Sequence, residues 1–234
     1  MKATLLAVTI LVFVGFGIAR SYANIVLTGP FAGTMTETWE SFPNYSTPGE
    51  QYLNSSTTIM GGNASIAGSI MEIYQPTVAP WGLSISGLAQ VSDGVKGLGL
   101  GTTNNSAVIT WAAPISTFGG YFAAPTGAGY PDPATITVSF FDTVSTLIGT
   151  ETFSYSTSTN PNGADGHLEW HGWTSSEPIG SISITGDYIA MDGLQATLVP
   201  EPSTFALAGL SVAALVILRC RNPIRINERK WGDR

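Results

Sequence analysis

Between Asn24 and Leu198 apolar side chains recur at every second position, and no stretch carries the i, i+3, i+4, i+7 stripe of an amphipathic helix. In Thr135-Ile136-Thr137-Val138-Ser139-Phe140 the apolar residues alternate with Thr and Ser. Ser181-Ile182-Ser183-Ile184-Thr185 repeats the pattern, and Ala107-Val108-Ile109-Thr110-Trp111 is a more apolar version. A period of two places one set of side chains on a core and the hydroxyls toward water, as in half-buried strands. Turn residues cut the chain at short intervals: Gly61-Gly62-Asn63, Gly119-Gly120, Pro131-Asp132-Pro133 and Asn160-Pro161-Asn162-Gly163. About ten strands fit between residues 24 and 198, which predicts an all-β fold, an antiparallel β-sandwich or jelly roll. The absence of a constant repeat period argues against a solenoid or propeller.

Charge is distributed unevenly. Residues 24–199 carry thirteen acids and one base, Lys96, for a net −12, although the whole chain is only −7. Binding to phosphate backbones needs clustered Lys and Arg, so nucleic acid is excluded as a partner. The single Cys, Cys220, permits neither an internal disulfide nor a multi-cysteine zinc site.

Both ends read as targeting segments. Lys2, the apolar run Leu5 to Ile18 and Ser21-Tyr22-Ala23 form a signal-peptide pattern over residues 1–23, with cleavage after Ala23 and a mature chain from Asn24. At the other end, residues 199–234 combine a Pro-rich hexapeptide, a short apolar span and a basic tail. A transmembrane helix over 203–218 would reach roughly 24 Å, somewhat less than a hydrocarbon core of roughly 30 Å, which makes it a marginal span. Arg219, Arg221 and Arg225 follow, which keeps that end cytoplasmic. The order predicts a membrane-anchored precursor with its 24–198 domain outside the cytoplasm.

Val199-Pro200-Glu201-Pro202-Ser203-Thr204, followed by an apolar span and an arginine cluster, resembles the PEP-CTERM sorting signal of Gram-negative bacteria. The resemblance implies exosortase as processing partner and export to the cell surface or to extracellular polysaccharide and biofilm matrix. The basic tail runs on to Arg234, longer than that pattern usually has. The distal half, from Phe118-Gly119-Gly120-Tyr121-Phe122 through ATITVSFFD and LIGTETFSYS to YIAMDGLQATL, resembles the lectin-like β domain that often precedes this signal. It implies a sandwich and no reaction.

Asp192 interrupts an apolar strand. Ile189 and Met191 share one face, whereas Leu194, Ala196 and Leu198 share the other, so a bulge at Gly193 is predicted to bring both sets inward and leave Asp192 outside the sheet. By resemblance to jelly-roll carbohydrate-binding families, Asp192 and Glu40, within Trp39-Glu40-Ser41-Phe42, would share a structural Ca²⁺. The alternative is that both acids are solvated sheet edges. Trp170 and Trp173, with Tyr121, Phe122 and Trp111, could stack on sugar rings, although rings in a sandwich are usually core. Trp170 and Trp173 fall on opposite faces of their strand.

His167 and His171 lie roughly 13 Å apart on a strand, too far for one zinc ion, so Asp165, His167, Glu169 and His171 read as a wet face. No Gly-x-Ser-x-Gly elbow or phosphate loop is present, and no catalytic residue is assigned. The expected function is therefore that of a non-enzymatic envelope or matrix protein, structural or binding. The alternatives are a carbohydrate-binding module with a defined glycan and a secreted hydrolase.

Overall fold

The structure, a computed structural model, describes residues 24–43, 53, 56–76, 89–101, 104–126, 130–158, 166–200 and 212–213. The signal peptide over 1–23 with its Ala23 site, sorting residues Glu201 to Thr204, nearly all of the 203–218 span, and Arg219, Arg221 and Arg225 lie outside these residues. Among the described residues no helix is long and apolar enough to cross a membrane.

Among the described residues eleven strands carry the fold: β1 Ile25–Leu27, β2 Met35–Glu37, β3 Thr57–Ile59, β4 Ala64–Gly68, β5 Met71–Tyr74, β6 Gly97–Leu100, β7 Asn105–Ala123, β8 Ala134–Phe141, β9 Leu147–Tyr155, β10 Glu169–Gly186 and β11 Ala190–Leu198. Every pairing is antiparallel. The three alternating segments singled out in the sequence fall in β8, β10 and β7. Their Ile and Val set is buried, apart from the exposed Val108, which shares the hydroxyl face with Thr110.

Two strands, β7 and β10, are long enough to serve both layers of a sandwich. The first half of β7 pairs with β4 and with the second half of β10, which continues to β8 and β9. The second half of β7 pairs with the first half of β10 and with β11, whose other edge takes β2 and β6. The change of layer coincides with register shifts between Thr174, Ile179 and Ser181 in β10 and, on β7, with Pro114, which has no N–H to give the ladder. The core fills the space between layers. Phe140 of β8 meets Trp173 of β10 edge to face at 5.6 Å, and Phe122 of β7 meets Phe153 of β9 at 5.7 Å.

The outward row of the first layer is almost wholly hydroxyl. Ser183 faces Ser139, which faces Thr150, and Thr185, Thr137 and Thr152 form the next row. β11 ends at Leu198, before Pro200-Glu201-Pro202.

Candidate functional site

The predicted bulge is present. Asp192 pairs with Tyr121 and Gln195 with Gly119, so Gly193 and Leu194 together oppose Gly120. Gly193 has φ +56, the left-handed conformation that a residue with a Cβ adopts only under strain. Ile189, Met191, Leu194 and Ala196 are all buried as a result, whereas Leu198, expected inward with them, is exposed at the end of the strand.

Asp192 does point away from the core, but it does not reach solvent. Residues Ser92 and Asp93 cover it: Oδ2 accepts from Ser92 N at 2.7 Å, Ser92 Oγ at 2.9 Å and Asp93 N at 2.9 Å, and Oδ1 accepts from Gly193 N. Burial pushes its carboxyl above the usual range, against the pull of these hydrogen bonds. Glu40 lies in the turn after β2, not in a strand, and its Oε1 accepts from Val95 N at 2.7 Å and Lys96 N at 2.9 Å. The structure thus brings the two acids to opposite ends of one loop, Ser92 to Lys96. Three of the four carboxylate oxygens, both of Asp192 and Oε1 of Glu40, accept from N–H or O–H donors of this loop and of Gly193.

The two tryptophans separate as alternation requires. Trp173 is 1% exposed, stacked beside Phe118 and enclosed by Phe122, Phe140 and Phe153, so it has no face for a sugar. Phe122 and Trp111 are buried as well. Trp170 lies on the outer face, half-buried, as does its register partner Tyr121. Their rings meet edge to face at 5.2 Å, and Phe31 meets Trp170 from the other side at 5.5 Å. The indole covers Gly119 and Gly172: a Cβ on either would lie 2.6 Å or 2.8 Å from indole atoms. Its Nε1 donates to Thr28 O at 3.2 Å. Two glycines and one carbonyl thus fix a large ring against the sheet, forming a partly exposed row of Phe31, Trp170 and Tyr121. Phe31 was not legible as a member, because it sits in an irregular segment about 140 residues from Trp170.

His171 corrects one expectation. It shares a face with Trp173, not with water, and its ring stacks on Phe153 at 3.6 Å with Tyr155 Oη 3.3 Å from Nε2. Burial pulls its pKa down to about 4. His167 precedes β10, is exposed and contacts Gln90. Asp165 lies outside the described residues.

Taken together, the fold and this face define a β-sandwich domain with an aromatic row on one outer surface. Residues 198–222 match the PEP-CTERM protein-sorting motif, so the chain carries that sorting signal after the sandwich. The motif marks an exported protein and implies processing by exosortase. No curated protein matches the sequence significantly. Similar solved structures include a DUF4465 family protein from Bacteroides caccae, at 14% identity over 74% of this chain and 99% of that one, TM-score 0.41. Another is the CBM22-1 xylan-binding domain of Xyn10C from Paenibacillus barcinonensis, at 12% identity over 73% and 99%, TM-score 0.33. A family 6 carbohydrate-binding module matches at 12% identity over 55% and 94%, TM-score 0.29.

Proposed function

We propose that the exported sandwich is a non-enzymatic component of the cell surface or extracellular matrix that holds neutral polysaccharide through the Phe31, Trp170 and Tyr121 row. The observation that carries this reading is the half-buried Trp170, kept on the outer face by two glycines beneath it and by Thr28 O. Rings held in this way lose little side-chain entropy when the apolar face of a sugar stacks on them. The −12 charge of residues 24–199 favours a neutral polymer over an acidic one, because like charges repel.

The reading is tested by affinity electrophoresis of the exported protein in gels containing extracellular polysaccharide from the producing cells. Trp170→Ala and Tyr121→Ala are each expected to weaken retention about tenfold, which corresponds to ~1.4 kcal/mol. Retention equal to the wild type in both variants, with both folded, would remove the aromatic row from any binding role.

A further inference from the structure

Lys96 is the single base between Asn24 and Val199, and it is 4% exposed. An ammonium withdrawn from water must have its hydration replaced by oxygens, or the charge is strongly disfavoured there. The turn after β2 supplies them: Nζ donates to Phe42 O at 2.6 Å and to Glu40 O at 3.1 Å. The same turn takes the backbone of the lysine loop, since Val95 N and Lys96 N both donate to Glu40 Oε1. Three residues before Val95, Ser92 and then Asp93 donate to Asp192 Oδ2.

The donor chemistry therefore runs one way. Two backbone carbonyls and two carboxylates are hard oxygen donors of the kind a divalent cation takes, yet the ammonium engages the carbonyls and amides engage the carboxylates. The far end of the loop adjoins the aromatic row, because Asp192 is the register partner of Tyr121. A Cβ on Gly193 would lie 2.9 Å from Ser92 Oγ and 3.2 Å from the Tyr121 ring, so little separates the loop from that ring.

We infer that Lys96 is the built-in cation of this domain, a positioning residue that fastens the loop Ser92 to Lys96 to the turn Trp39 to Phe42 without metal, and so fixes the wall beside Tyr121. The clamp stands on its own contacts; its effect on polysaccharide rests on the reading of the aromatic row given above.

Three measurements on the exported protein test it. The wild-type melting midpoint is expected to be the same in millimolar calcium and in chelator. Lys96→Met is expected to lower the midpoint by about 5–10 °C, as for a buried site losing a charged hydrogen-bond partner, with no recovery in calcium. Glu40 is exposed, so Glu40→Ala leaves a folded domain. In that variant hydrogen exchange at the Val95 and Lys96 amides is expected to rise about tenfold and polysaccharide retention to fall several-fold, with Glu40→Gln restoring both. A wild-type midpoint that rises with calcium, or Glu40→Ala exchange at the wild-type rate, overturns the clamp even if Lys96→Met fails to fold. If the wild type itself is not retained by polysaccharide, the functional reading fails while melting and exchange still judge the clamp.

Discussion

His171 and Trp173 occupy alternate positions of β10, so their two rings enter the core side by side, 6.3 Å apart. Charging the imidazole there separates a cation from water against Phe153, Phe122 and Trp173, which is why burial lowers its pKa to about 4. A folded pKa below the ordinary 6.5 means that the unfolded chain binds the proton first. This contribution to stability is complete above about pH 6.5 and is lost as pH falls toward 4. Denaturant melts between pH 7 and 4 are expected to show that fall in the wild type and a shallower one in His171→Phe, the difference isolating this ring from the carboxylates. Equal slopes in the two proteins would mean that His171 does not titrate in this way. The wet-face expectation fails for His171 because in this alternation Trp170 is the member that faces out, which turns His171 and Trp173 toward the core.

At the scale of elements, β11 shows how one residue changes what a strand can bury. Without the extra residue at Gly193, strict alternation would leave either Met191 or Leu194 outside the core, and both are fully buried. Gly193→Ala places a Cβ at φ +56 with Ser92 Oγ 2.9 Å away. The expected loss is about 1–2 kcal/mol, read as a midpoint lower by about 2–8 °C. A variant as stable as the wild type would show that the bulge needs no left-handed residue. A second device on the same side lies around Glu37. Its carboxylate accepts from Trp39 N and Met60 N, both residues with positive φ, and so holds two strained turns in register with β2.

For the molecule as a whole, the sandwich ends where sorting begins. Leu198 closes β11, and the sequence that follows places Pro200 and Pro202, which have no N–H to donate to a sheet or a helix. Replacing both prolines by Ala is expected to slow processing at least several-fold in cells that carry exosortase, with the melting of the exported domain unchanged. Pulse-chase gels read the first effect and thermal melts the second. Cleavage at the wild-type rate would make the motif a passive linker. Of the second compact unit, Val199–Arg234, only Val199, Pro200, Val212 and Ala213 are described, and the last two are helical.

The class of fold, the strand segments of β7, β8 and β10, the bulge at Gly193 and the sorting motif were legible in the sequence, because each is a local pattern. Period two, a lone Asp between two offset apolar sets, and a Pro-Glu-Pro string need no partner to be recognised. What the chain order does not contain is which distant oxygen meets which donor. Asp192 could be seen to leave its sheet, but its meeting with Ser92, roughly a hundred residues away, depends on how β6 and β11 lie together. Lys96 stood out as the one base in an acidic domain, yet only packing showed that its charge is turned inward on Glu40 O and Phe42 O. Likewise alternation separated Trp170 from Trp173 but could not say which one faced the core. That was decided by the opposite layer, where Phe140 and Phe153 close over Trp173 and leave Trp170 on its glycines outside.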